Sequence, residues 1–254
     1  MKRILLTIGF YALILAACFS QGRESKSIED LVDSKSPAWN QLLEMKAAAR
    51  NPVEILPKEK SQAEKALLES QLPTSTYIGS MIYECGGMLV DNGWIRILGS
   101  GCSRLNRSLP AWNKGKSMAG SKMSNSFLLV ADDVLGGFFA LKTEGTQIPD
   151  SCTVYYFGPN SLKWKSTGLN YRAFIGYCFS GNIKRFYGDF RWNGWEQDVA
   201  QMDGNQVISC YPLLWTKEAL EMKSSRKVVT IQKQWESYPQ QTKFLADQNL
   251  MVNK

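Results

Sequence analysis

Between Gly86 and Trp164, three pairs of short apolar runs are each joined by a turn sequence, with no helix-length apolar pattern between them. In "GGMLVDNGWIRIL" the turn is Asn92-Gly93, a strong short-range hairpin signal because both residue types tolerate positive φ. "FLLV" and "GFFAL" flank Asp132, Asp133 and the pair Gly136-Gly137. "CTVYYFGPNSLKW" turns at Gly158-Pro159-Asn160, residue types that favour tight reversals. Four or five strands spaced this closely predict a largely antiparallel sheet.

Helical patterns lie on both sides. Ser36-Pro37 reads as an N-cap and first helical residue, followed by Trp39, Leu42, Leu43 and Met45, with Asn51-Pro52 as the stop. Ser61 and Glu64 have capping-box spacing ahead of Ala66, Leu67 and Leu68, and Pro73 ends that pattern. Helical periodicity returns in "YRAFIGYCFSGNIKRFY", in "GWEQDVAQM", and in an amphipathic piece from Lys217 to Trp235. Residues 37–238 are therefore expected to form a single α+β domain: N-terminal helices, a central mainly antiparallel sheet and C-terminal helices. Residues 239–254, rich in Gln and Lys, are expected to fray.

The first residues read as an address. Lys2 and Arg3 precede an apolar run from Ile4 to Ala17, which as a helix spans about 21 Å against a hydrocarbon core of about 30 Å. A cleaved signal over residues 1–17 fits better than a permanent span. Leu15-Ala16-Ala17-Cys18 matches a lipobox, which makes Cys18 the lipid-modified first residue and residues 18–36 a flexible tether. A competing cleavage after Ser20 leaves Gln21 first and the protein soluble in the periplasm or secreted. The expectation is a lipid-anchored protein of the cell envelope, attached to the membrane through that anchor.

Composition then excludes chemistry. The chain has no histidine, which removes imidazole-dependent triads, His-ligated zinc and histidine acid–base catalysis. Its net charge of +7 is spread along the sequence without a run of five basic residues, so nucleic acid is not an expected partner. Cys85, Cys102, Cys152, Cys178 and Cys210 contain no CxxC and read mainly as small buried residues. "GSGCS" and "GKS" (Gly115 to Ser117) lack phosphate-loop spacing. No cofactor and no metal are expected.

Three stretches remain as candidate sites. Asp132 and Asp133 resemble a catalytic carboxylate pair, but neighbours on a strand point to opposite faces of the sheet, and Asp readily accepts backbone N–H bonds in turns. The turn reading is favoured; the catalytic alternative pairs either Asp with Glu84 or Glu196. Arg104, Arg107, Trp112, Lys114 and Lys116 fall in a stretch of low apolar periodicity, read as a long exposed binding loop. The aromatics of "KRFYGDFRWNGWEQD" are read as packing against a core edge while Lys and Arg extend to solvent.

"NPVEILP", "GGMLVDNGWIRILGSG", "SLPAWNKGKS", "FLLVADDVLGGFFAL", "VYYFGPNSLKW", "FRWNGWEQDVAQMDGNQVISCYPLLWTKE" and "SSRK" resemble, in this order, a bacterial family known as domain of unknown function 2625. The likeness runs from about residue 39 to residue 235 and implies no established activity. The signal-like N-terminus and the cysteines at 85, 102 and 210 depart from that family's pattern. More distantly, the strand, Ala-Asp-Asp, Gly-Gly, Phe-Phe-Ala-Leu and Val-Tyr-Tyr succession looks like the central segment of the SUKH superfamily, α+β proteins that include toxin-neutralising immunity proteins. That likeness implies a SUKH-like fold and a protein partner, a toxin among the candidates, with Asp133 fixing a turn. The expected function is a non-catalytic protein-binding module at the envelope. Its rivals are a carboxylate-dependent hydrolase of an envelope glycan and a binder of a small anionic ligand.

Overall fold

In the computed structural model, which describes residues 25–116, 127–143, 149–221 and 225–252, each of the three turn sequences closes a hairpin. The strands are β2 (Gly87–Val90) with β3 (Ile95–Leu98), β4 (Phe127–Asp133) with β5 (Phe138–Lys142), and β6 (Thr153–Gly158) with β7 (Lys163–Asn170). Asp91, Asn92 and Gly93 all take positive φ in the first turn, as a tight reversal between right-twisted strands demands. A further strand, β1 (Val53–Leu56), pairs with β2 and extends the sheet to seven antiparallel strands in chain order. Only four residues long and bracketed by Pro52 and Pro57, β1 is too short to declare itself by alternation.

The register sorts the side chains into two faces. Arg96 pairs with Asp132, Asp132 with Phe138, and Phe138 with Phe157, so these four share one face. Ala131, Phe139 and Tyr156 share the other. On the first face the C-terminal helix lays Trp235 and Tyr238 edge-on against Phe138, at 4.9 and 6.0 Å between ring centroids. On the second, Phe139 stacks at 4.9 Å on Phe174 and Tyr156 meets Phe186 at 5.2 Å. Both faces being covered explains why β2 and β3 are buried at every position and read as continuous apolar runs.

The N-terminal helices are α1 (Ile28–Leu31), α2 (Pro37–Ala47), α3 (Lys60–Ser70) and α4 (Tyr77–Glu84). Pro37 does open α2, but Ser36 makes no side-chain cap, and Ser61 lies inside α3, whose N-cap is Glu59. The segment read as a tether is ordered from residue 25. Ser27 and Asp30 cap α1, Leu31 is buried, and the Leu31 carbonyl accepts the Thr74 N–H at 2.8 Å. Residues 1–24, with the signal segment and Cys18, lie outside the described residues.

The short helix α5 (Leu109–Asn113) lies between β3 and β4 in the chain, and after the sheet come α6 (Tyr171–Ser180), α7 (Ile183–Tyr187) and α8 (Trp195–Ala200). Gly181 and Asn182 split the predicted single helix into α6 and α7, with Asn182 capping α7. The piece read as helical from Lys217 to Trp235 divides into α9 (Lys217–Glu221), a strand β9 (Ser225–Thr230) and the start of α10 (Ile231–Val252). The β-branched run Val228-Val229-Thr230 pairs with β8 (Gln206–Tyr211) in a second, two-stranded sheet, where its stiff side chains fit better than in a helix. The tail expected to fray is helical to Val252 and continues through Pro239. Cys85, Cys102 and Cys178 are buried free thiols, Cys210 is a half-buried one, and Cys152 is buried. Among the described residues no helix is long and apolar enough to cross a membrane.

Tyr238 locks α10 to the sheet: its ring meets Phe138 and Phe157, and its hydroxyl donates to the Gly136 carbonyl at 2.7 Å. Tyr238→Ala is expected to cost about 3–5 kcal/mol, read from urea denaturation. Phe244→Ser, on an exposed part of the same helix, should cost less than about 1 kcal/mol. Equal effects would mean that α10 is held by something other than its contact with the sheet.

Candidate functional site

Asp132 and Asp133 end β4, and the strand sends them apart. Asp132 points to the face covered by the C-terminal elements. Its Oδ1 lies 2.5 Å from Arg96 Nη2 and its Oδ2 2.7 Å from Arg107 Nη1, with all three side chains buried. The two guanidiniums reach onward to the segment before β8. Arg107 donates to Asn205 Oδ1 at 3.0 Å and to the Gly204 carbonyl at 2.9 Å, and Arg96 donates to the Gln206 carbonyl. Asp132 is thus the centre of an ionic clamp between the large sheet and the chain that leads into the small one. Removing one partner from such a buried set typically costs about 3–5 kcal/mol, because the survivors keep their charge and lose its compensation.

Asp133 serves the other side. Its Oδ1 accepts the N–H groups of Leu135 (2.9 Å) and Gly137 (2.8 Å), and its Oδ2 accepts the hydroxyls of Tyr156 (2.8 Å) and Tyr187 (3.0 Å). Four donors fill the roughly four lone-pair sites of a carboxylate. Gly136 supplies the positive φ of the turn, at +83°. Gly137 supplies room: a Cβ there would stand 2.3 Å from Asp133 Oδ2 and 2.5 Å from Tyr156 Oη. Burial raises the Asp133 carboxyl above its ordinary value, against the opposing pull of its donors and of Arg96. The same burial, with Asp133 beside them, pushes the Tyr156 and Tyr187 phenols well up, so both hydroxyls stay protonated and donate.

Neither glutamate joins these networks. Glu84 pairs with Lys58 at 3.2 Å, and Glu196 stands exposed on α8. Among the described residues no cluster of three Cys, Asp or Glu side chains could hold a metal ion.

The segment read as an exposed binding loop is divided. Arg107 belongs to the clamp, and Trp112 lies buried at 7% exposure beneath two cations, Arg107 at 4.6 Å and Lys116 at 3.7 Å from its ring. Ser108 caps α5, which turns Trp112 inward. Only Arg104 and Lys114 extend fully to solvent, and each is engaged, with Glu54 and with Glu69 respectively. Apolar periodicity missed the burial because five helical residues are too few to display it. The aromatic-rich stretch after α7 packs as anticipated: Trp94 is surrounded by Tyr187, Trp192 and Trp195, and Arg191 lies over the Trp94 and Trp195 rings.

What sequence reasoning missed is a groove. Beside Asp133, on the face covered by α6 and α7, a cleft of about 390 Å³ is walled by Phe139, Tyr156, Phe174, Tyr177, Phe186 and Tyr187. Lys165 and Thr167 on the edge strand β7 form its opposite wall. A second cleft of about 200 Å³ shares Tyr156, Lys165, Phe186 and Tyr187 and continues toward Leu214. Phe186, 41% exposed, is the visible part of this surface. The only sequence signal was the aromatic density of "VYYF" and "KRFY", which packing alone also explains.

Because folding raises the Asp133 pKa, charging this group works against the folded state. Its contribution is complete below the unfolded value of about 3.9 and is lost as pH rises through the folded value. The stability margin of the wild type over Asp133→Asn is therefore expected to shrink as pH is raised from about 4 to about 8, measured by urea denaturation at each pH. A margin that grows would place the folded pKa below the ordinary one.

Comparison with known proteins follows the same lines. The family model "Protein of unknown function DUF2625" matches residues 28–234. An "Uncharacterized protein" of Haemophilus influenzae is 36% identical over 222 residues, 87% of this chain and 93% of the relative. "Putative uncharacterized protein YbfG" of Escherichia coli is 36% identical over 211 residues, 83% of this chain and 94% of the relative. No solved structure matches.

Proposed function

We propose that this chain, which belongs to the DUF2625 family of proteins of unknown function, is a non-catalytic binding module whose recognition surface is the aromatic groove beside Asp133. One observation carries the reading. Every lone-pair site of the Asp133 carboxylate is taken by a donor within the fold, two of them tyrosine hydroxyls from the groove wall. A general acid or base must exchange a proton with a bound substrate, and this carboxylate has no open position from which to do so. Asp132 is fully buried between two guanidiniums on the opposite face of the sheet, away from the groove. The hydrolase reading loses both of its central residues in this way.

The groove has the attributes of a binding site. It is concave and aromatic, and its volume falls within the about 300–1,000 Å³ typical of ligand cavities. Recognition through Arg104, Arg107, Trp112, Lys114 and Lys116 is less well supported, because Arg107 and Trp112 are structural members of the core. The likeness to SUKH immunity proteins rests on the β4–β6 motif alone and bears on fold more than on partner. The lipobox at Leu15 to Cys18 supports a protein held at the cell envelope by a lipid on Cys18.

A fragment screen read by amide chemical-shift mapping tests the site. Hits should cluster on Lys165 to Leu169 and Phe174 to Tyr187; hits that cluster on Arg104 to Lys116 would overturn the assignment. Mass spectrometry of the mature N-terminus tests the anchor separately: a diacylglyceryl-modified Cys18 is expected, and a mature chain beginning at Gln21 would sink it.

A further inference from the structure

The groove has a chemical polarity that narrows what it can hold. Tyr156 and Tyr187 turn their hydroxyls onto Asp133, so their polar ends are consumed behind the wall and the cleft is left with ring carbon. Phe139, Phe174 and Phe186 complete a surface that offers hydrocarbon contact over most of its area. The rim is different. Lys165, on the exposed edge strand β7, lines the cleft and has no ion-pair partner among the described residues. Arg185, exposed on α7, acts electrostatically on the Tyr177 phenol of the groove wall. No acidic side chain is among the residues that line the cleft.

Aromatic faces by themselves attract cations, so a quaternary ammonium is the natural competitor. A cation entering here would approach Lys165 and Arg185 without a carboxylate to receive it, since Asp133 lies behind the tyrosines with its lone pairs occupied. An anionic head at the rim meets the opposite situation, and its apolar body meets the rings.

Resting on the proposal that this groove is the recognition surface, we infer that its ligand is a small anionic amphiphile, with an acyl or aryl body among the rings and a single carboxylate or phosphate at Lys165. The cleft is at the small end of the ligand-cavity range, which suits a medium-length chain better than a two-chain phospholipid.

Calorimetric titration with decanoate, decanol and decyltrimethylammonium separates the parts of this inference. Decanoate is expected to bind at one site up to about fivefold tighter than decanol, the gain of one exposed ion pair, and the ammonium to bind more weakly still. Lys165→Gln, at an exposed position, should remove most of that preference and leave decanol unchanged. Lys165→Trp, which puts a large ring at an exposed position on the Tyr156 face of the sheet, should block all binding with the fold intact by circular dichroism. Decyl phosphate in place of decanoate reports which head is preferred. Equal affinities for decanoate and decanol, both blocked by Lys165→Trp, would overturn the anionic class and leave the groove as the recognition surface. Tighter binding of the ammonium would overturn the class as well. No binding of any probe, or binding that Lys165→Trp leaves untouched, would overturn the groove reading and the ligand class together.

Discussion

One carboxylate holds four parts of this molecule together. Asp133 closes the β4–β5 turn through two backbone N–H groups and reaches Tyr156 on β6 and Tyr187 on α7 with its other oxygen. A buried charge is tolerated only when hydrogen bonds replace the lost water, and here four donors from three chain segments do so. The position of α7 over the sheet, the backbone of the Gly136-Gly137 turn and the orientation of two groove tyrosines all depend on that arrangement. The turn must also be glycine at residue 137, because the oxygen and the tyrosine hydroxyl occupy the space of a side chain.

Asp132 does for the opposite face what Asp133 does for its own. Two adjacent residues on one strand project oppositely, so a single dipeptide ties down both layers: Asp132 through Arg96 and Arg107 to the segment entering β8, Asp133 through two tyrosines to β6 and α7. The charges also balance across the sheet. Two buried guanidiniums face two buried carboxylates, and Arg96 Nη2 donates to the Asp133 backbone carbonyl at 2.7 Å as well as pairing with Asp132, so the two anchors meet at one residue.

The sheet was legible because its signals are local. Asn92-Gly93, Gly136-Gly137 and Gly158-Pro159-Asn160 each mark a reversal that needs no tertiary information, and the α+β class follows from their spacing. Alternation also places Asp132 and Asp133 on opposite faces before any coordinates are seen. Elements decided by distant partners were not legible. β9 looks helical until β8 is there to pair with Val228 and Val229, and the helix through Pro239 is held by Trp235 and Tyr238 packing on Phe138. Arg107 looked like part of an exposed cationic loop because its partners are Asp132 and, about a hundred positions away, residues 204 and 205, and Trp112 in turn lies beneath Arg107 and Lys116. The groove was illegible for the same reason: its walls come from β5, β6, β7, α6 and α7, and no one of these carries a pattern that differs from ordinary core.

The same dependence joins the stability of the turn to the surface chemistry of the proposed recognition groove. A tyrosine whose hydroxyl is free presents a polar end to any ligand beside it, whereas Tyr156 and Tyr187 present ring because Asp133 has taken their hydroxyls. The carboxylate that would be the first suspect for catalysis is therefore what makes the adjacent cleft apolar, and it does so only while it remains fully occupied by the fold. A residue cannot both hold four internal donors and release one to serve a substrate without loosening α7 from the sheet. On the proposed binding reading, the commitment of Asp133 to the fold and the apolar character of the cleft beside it are one arrangement.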